Sequence, residues 1–318
     1  MRPFTEMEKS SEDRLPGEST DALAKLGMPR VVAGMWRVCD WRMSAGELVD
    51  FMHRCIELGV TAFDHADIYG RGAVESLFGE ALALDPSLRG RMQIVSKAGI
   101  RLGASSAASP AGEGPLKYYD SSPAYLREAV EQSLRRLGTD HLDLFLIHRP
   151  DSLMNMDDIA LAAQSLVEQG KIRAFGVSNF SVRQFELLHA RTALATNQIE
   201  FSPFATGALD SDMLAVLAQA KVSPMIWSPL GGGRLFSATD EAARRVRGVM
   251  AGLQQKYGAA SWLAIAYAWI FRVPGAPYVI VGSRRLDSVQ AAVDGLRIAL
   301  DRQDWYAILE AARGRPVP

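Results

Sequence analysis

The chain has 318 residues, 48% of them hydrophobic and 22% charged, and its 35 basic and 36 acidic residues leave a formal net charge of −1. That composition supplies a large core and excludes a disordered body, and it builds in no general attraction to nucleic acid or to an anionic membrane. No stretch reaches the 18 or so consecutive apolar residues of a spanning helix, and Cys39 and Cys55 are too few for a disulfide framework, which fits a soluble protein of a reducing cytoplasm.

Along the chain, residues 1–25 carry charges throughout (Glu6, Glu8, Lys9, Glu12, Asp13, Arg14) and no apolar segment of the signal-peptide kind, so they are read as a flexible N-terminal arm. Residues 26–318 are read as one domain. Strand-like runs begin near Val31, Thr61, Met92, Leu142, Lys171, Ala195, Ser223 and Tyr278, with helical periodicity or helix-start signals between them. Ser44 with Glu47 and Ser181 with Gln184 have the spacing of capping boxes, and Cys55 falls on the apolar face of the helix that Ser44 opens. Ser122 followed by Pro123 caps a helix whose stripe is Leu126, Ala129, Val130, Ser133, Leu134 and Leu137.

Two strand-to-strand intervals are wider than the roughly 30 residues a βα unit needs. The first holds Arg101 to Ser121, rich in Gly, Ala, Ser and Pro, and is expected to be a long loop after the third strand. The second follows the seventh strand and holds Gly231, Gly232 and Gly233, then an extra helix from about Asp240 to Tyr257. Eight βα units predict a closed (β/α)8 TIM barrel of α/β class. A doubly wound sheet would place GxGxxG after its first strand, where this chain reads VVAGMWRVCD.

In such a barrel chemistry gathers where the strands end. Asp64, Tyr69, Lys97 and His148 stand there, just after the second, third and fourth strands. Singly, each has an ordinary explanation: a turn Asp, a packing Tyr, a Lys with its head in water, a hydrogen-bonded His. Together they make a proton donor (Tyr69), a cation and carboxylate that tune it (Lys97, Asp64) and a group to hold a substrate oxygen (His148). His65 and Asp67 add no complete ligand set, so no metal is expected. Trp36 and Arg37, at the end of the first strand, are expected to line the substrate pocket, with Trp41 packing beside them.

The ordered segments FDHADIYG, IVSKAGI, DLFLIHRPD, GKIRAFGVSNF, NQIEFSP and WSPLGGGRLF resemble the aldo-keto reductase superfamily from about Val31 to Ala311, and within it the bacterial YdhF-type oxidoreductases. The resemblance implies an NADPH-dependent reduction of a small-molecule aldehyde or ketone, with Tyr69 as general acid, Lys97 and Asp64 as its tuning pair and His148 orienting the carbonyl. It implies that Ser178, Asn179 and Gln198 hold the nicotinamide carboxamide, that Trp227 stacks on its ring, and that Gly34, Met35 and Trp36 also bind the cofactor. Ser228, Pro229, Leu230, Gly231 and Gly233 would line the pyrophosphate. Gly282, Ser283, Arg284 and Arg285 would lie at the adenosine end, where either guanidinium suits the 2′-phosphate of NADP.

Ala291 and Ala292 stand where many members carry a Glu-Asn pair toward the adenine, so that contact is expected to be missing. A nicotinamide-binding regulatory subunit with little turnover is the alternative; nucleic-acid and membrane partners are not expected. The substrate and the oligomeric state are not legible in the chain.

Overall fold

Each of the eight strand-like runs is a strand that begins within two residues of its expected start. The computed structural model describes residues 21–105 and 115–317. In it β1 (Val31–Gly34), β2 (Ala62–Asp64), β3 (Gln93–Ala98), β6 (Leu142–Ile147), β7 (Ile172–Ser178), β8 (Asn197–Glu200), β9 (Met225–Trp227) and β10 (Tyr278–Val281) are parallel. They close in the order β1-β10-β9-β8-β7-β6-β3-β2. This is a single-domain TIM barrel. β4 (Ile100–Ser105) and β5 (Pro115–Tyr119) form a separate antiparallel pair.

Side chains alternate across a strand, and here the alternation sorts the core in two. Val32, Ala62, Val95, Leu144, Leu146, Met225 and Ile280 cluster together inside the ring. Val31, Phe63, Ile94, Phe145, Val177, Ile226 and Val279 belong to the larger cluster between strands and helices. One inward step beyond Ala62, Val95, Leu146, Met225 and Ile280 come Asp64, Lys97, His148, Trp227 and Gly282. Period two along each strand therefore delivers the polar residues to one layer at the carboxyl-end mouth.

The helix caps form as expected. The Ser44 and Ser181 capping boxes each have both of their hydrogen bonds, and Asp240 caps Glu241–Tyr257. Ser122 accepts a bond from the Tyr125 amide ahead of Pro123–Leu137, whose buried residues are the six of its stripe. Cys55 is buried and Cys39 exposed, both as free thiols. Among the described residues no helix is long and apolar enough to cross a membrane.

Two expectations need correction. Arg101 to Ser121 is not simply a loop: its arms pair as the β4/β5 hairpin, with Leu102 opposite Lys117 and Arg101 opposite Tyr118. The Gly, Ala, Ser and Pro between the arms dominate the composition of the segment and obscure its strand-forming parts, Ile100 to Leu102 and Leu116 to Tyr119. Nor does the flexible arm reach residue 25. Asp21 accepts from the Leu23 amide and caps the turn Ala22–Lys25, which buries Leu23 completely within the inner cluster. The Asp21 carboxylate also accepts from Tyr278 at 2.8 Å and Ser223 at 3.0 Å, so this turn plugs the amino end of the barrel. The expectation for residues 1–20 lies outside the described residues.

Candidate active site

A cavity of about 710 Å³ opens at the carboxyl ends of the strands. At its foot Lys97 is wholly buried. An ammonium there requires acceptors, since an unpaired buried charge is costly. It donates to Asp64 Oδ2 at 2.7 Å and to the His65 carbonyl at 2.7 Å. The other carboxylate oxygen of Asp64 accepts from Gln198 Nε2 at 2.9 Å, so strands β2, β3 and β8 are tied by one network.

Tyr69 is carried over this pair by a sharp turn. After β2 the chain is held by Asp67 N–H to the Lys97 carbonyl at 2.9 Å and Tyr69 N–H to the Ala66 carbonyl at 3.1 Å. Gly70 and Arg71 then take left-handed conformations (φ 57° and 55°), unusual for arginine, and reverse the chain. The Lys97 ammonium lies 5.2 Å from the centre of the Tyr69 ring. The His148 ring meets that of Tyr69 edge to face at 5.7 Å.

Burial raises the Tyr69 pKa above the ordinary phenol range and outweighs the opposing pull of Lys97. Lys97 is raised too: burial alone would lower it, but Asp64 and Tyr69 together prevail. His148 is held well below its ordinary value by burial first, then by Lys97, Arg149 and Lys117, so its imidazole is neutral.

The far side of the mouth is built on β7, β8 and β9. Ser178 Oγ donates to the Gln198 carbonyl at 2.9 Å, and Asn179, at φ 59°, donates to Ser178 Oγ at 2.7 Å and to the His148 carbonyl at 3.3 Å. Trp227 Nε1 donates to Asn179 Oδ1 at 3.0 Å. Serine, amide and indole are thus bracketed into one rigid wall.

Of the expected site residues, Gly34, Trp36, Asp64, Tyr69, His148, Ser178, Asn179, Gln198, Trp227, Ser228, Pro229, Leu230, Gly233, Gly282, Ser283 and Arg285 line the cavity, as does Arg37. Trp41 packs edge-on against Phe51 at 5.5 Å. Four of the expected residues do not line the cavity. Lys97 lies beneath it. Met35 is buried in the core. Gly231 faces Phe204, against which a Cβ would stand at 2.6 Å. Arg284 reaches away to the Trp41 carbonyl at 3.4 Å, while Arg285 is on the wall and paired with Asp287 at 2.5 Å. Ala291 and Ala292 are buried.

The cavity suits an extended dinucleotide. Its wall runs from the Tyr69 and His148 pair to Arg285, and at Gly232, Gly233 and Gly282 a Cβ would meet nothing within 4 Å. That open space lets a ligand approach the backbone closely.

Sequence reasoning missed Arg149, Lys117, Ile100, Leu102 and Phe236 on the lining. For Arg149 the signal was present, since it directly follows His148 at a strand end. The hairpin residues carried no such local mark.

The Aldo/keto reductase family model matches residues 30–313. Oxidoreductase YdhF of Escherichia coli is 46% identical over 91% of this chain and 95% of its own length. A 6-dehydroglucose reductase of Agrobacterium fabrum is 40% identical over 92% of this chain and 97% of its own. Among solved structures, the glycerol dehydrogenase of Gluconobacter oxydans superposes with a TM-score of 0.78 at 26% identity, covering 92% of this chain and 94% of that one. An aldo/keto reductase of Klebsiella pneumoniae in complex with NADP and acetate gives 0.70 at 26% identity, covering 92% and 93%.

Proposed function

The chain belongs to the aldo/keto reductase family, and from that premise we propose that this oxidoreductase is a cytoplasmic, NADPH-dependent reductase of small aldehydes or ketones with Tyr69 as proton donor. The observation that carries the proposal is the wholly buried ammonium of Lys97, held at 2.7 Å by Asp64 beneath the Tyr69 ring at the foot of an open cavity. A charge buried so deeply, and next to a phenol, has a use in making the phenolate tolerable.

The nicotinamide, when bound, supplies the hydride for the carbonyl carbon. The residues of the chain act on the oxygen. His148, neutral in its buried setting, orients the carbonyl by a hydrogen bond. Tyr69 gives its proton to that oxygen, so the product is an alcohol and the tyrosine is left as phenolate. Lys97 stabilises the phenolate, while Asp64 and Gln198 keep Lys97 from turning away.

Ser178, Asn179, Gln198 and Trp227 would hold the nicotinamide, and the glycines after β9 and β10 the phosphates. A preference for NADPH is supported by Arg285 on the cavity wall and by the NADP-bound relative.

The test follows NADPH absorbance with a panel of aldehydes, ketones and quinones, repeated with NADH and with Tyr69→Phe. Reduction of several carbonyls that is lost in Tyr69→Phe is expected. Full activity in that variant removes Tyr69 from its role, and no turnover of any carbonyl by the wild type overturns the reductase reading.

A further inference from the structure

Among the described residues the charged ones on the cavity wall are Arg37, Asp64, Lys117, Arg149 and Arg285, so the one carboxylate among them is that which Lys97 already neutralises. Of the four cations, Arg285 is paired with Asp287. Arg37 donates to the Gly232 carbonyl at 3.1 Å, which ties it to the glycine turn after β9. Arg149 and Lys117 have no acidic partner among the described residues.

Their place in the ring separates them from the adenosine end proposed for the dinucleotide. Arg149 follows β6, four strands from β10 in a barrel of eight and thus diametrically opposite Gly282 to Arg285. Lys117 stands on the hairpin between β3 and β6. Across that hairpin its register partner is Leu102, which also lines the cavity, whereas Arg101, on the other face, is used by Asp120 at 3.2 Å and by Tyr125. Arg149 is half-buried, with its guanidinium 5.6 Å from the centre of the Trp227 ring. Both cations act electrostatically on His148, and Arg149 acts on Tyr69 as well. With Tyr69 and His148 they line one cavity, and so share the space in which the substrate oxygen is to be held.

We infer that the carbonyl substrate is an acid, carrying a carboxylate or phosphate that Arg149 and Lys117 hold while its carbon skeleton lies against Trp36, Ile100 and Leu102. This rests on the proposed carbonyl reduction and adds the substrate class. Two cations without an acidic partner among the described residues, in a half-enclosed mouth, raise the local concentration of anions and reject uncharged analogues that leave them unsatisfied.

The test compares kcat/KM for matched pairs: 4-oxobutanoate with butanal, 2-carboxybenzaldehyde with benzaldehyde, and glyceraldehyde 3-phosphate with glyceraldehyde. The wild type is expected to favour at least one acidic member by about ten- to a hundredfold, the range of a charge-assisted contact, and the favoured pair tells carboxylate from phosphate. The ratio is taken within each variant, so a general loss of activity cancels. It should collapse toward one in Arg149→Gln and Lys117→Gln and be largely kept in Arg149→Lys. Equal rates within every pair, or a ratio unchanged in both glutamine variants, overturns the assignment.

A second readout does not need turnover. Tryptophan quenching by benzoate, benzamide and phenyl phosphate measures anion binding directly. Tighter binding of an anion than of benzamide, lost in Arg149→Gln, supports the site even if no carbonyl is reduced, in which case the reductase reading alone fails. Anion binding lost in Tyr69→Phe but kept in both glutamine variants puts the anion on the tyrosine and overturns it.

Discussion

Two buried aspartates, one at each end of the barrel, hold cations, and only one of them faces a cavity. At the amino end Asp143 accepts from the Ile94 amide at 2.8 Å and pairs with Arg89 at 3.2 Å and Arg173 at 3.1 Å. At the carboxyl end Asp64 pairs with Lys97 and accepts from Gln198. The two carboxylates are alike in burial and in being paired, so a buried, paired aspartate does not mark chemistry by itself. Arg89 is fully used by the fold, with further bonds to Thr139 and the Met92 carbonyl. Lys97 also presents its charge to a tyrosine at the edge of an open space. A buried ion pair becomes a functional feature through what lies beside it.

The largest loss is expected at Lys97. Replacing it with Met leaves Asp64 buried without its cation, which costs about 3 to 5 kcal/mol of stability, and removes the charge beneath Tyr69. Single-turnover hydride transfer should fall by more than about a hundredfold, and chemical denaturation should show the stability loss. Normal transfer would make Lys97 a structural residue like Arg89.

Tyr69→Phe takes away only the hydroxyl. The rate should drop by about 10² to 10⁴, the range of a lost general acid, with NADPH binding and thermal stability nearly unchanged. Steady-state rates and tryptophan quenching by the cofactor measure the two separately.

Asp143→Ala is the mirror experiment. It should lower stability by about 3 kcal/mol, because two guanidinium groups and a buried amide lose their acceptor, yet leave kcat/KM of the remaining folded enzyme close to wild type. A large loss of kcat/KM in a folded variant would erase the contrast between the two ends.

On the open side of the mouth the two arginines after β10 should differ in their effect on cofactor choice. Arg285→Ala should weaken NADPH binding by about ten- to a hundredfold and leave NADH unchanged, whereas Arg284→Ala, whose guanidinium reaches to Trp41, should alter neither. Titration of both variants with both cofactors decides it.

The smallest expected effect is at Asp67, whose carboxyl is pushed up to about 6, chiefly by burial, against a lesser opposing bond from Tyr125 at 2.8 Å. The folded state holds this proton more tightly than the unfolded chain. Stability is therefore lost as pH rises from about 4 through about 6, and the loss is complete above that. Asp67→Asn should raise stability at pH 8 by about 1 to 2 kcal/mol, reduced from the full shift because the residue is only partly buried, and by little at pH 4. Denaturation at the two pH values measures the difference, and an equal gain at both would remove Asp67 as its source.

Strand number, strand starts and helix caps were legible in the chain because each rests on local chemistry: period-two alternation, a serine three residues before Glu or Gln, a proline after a cap. The mouth residues were legible for a related reason. Asp64, Lys97 and His148 are polar side chains at the ends of apolar strands, and closure of eight βα units brings such ends together. What folding in three dimensions alone decided was which side chains share space without sharing sequence. That includes the pairing of Leu102 with Lys117 on either side of a sequence rich in Gly, Ala, Ser and Pro, the plug made by Asp21 and Leu23, and the choice of Arg285 over Arg284 for the wall. It also includes the placing of Arg149 and Lys117 on the wall of the same cavity as His148. Each depends on the direction of a side chain relative to a distant strand, which sequence spacing does not encode, because a one-residue step along an extended chain turns the side chain to the opposite face.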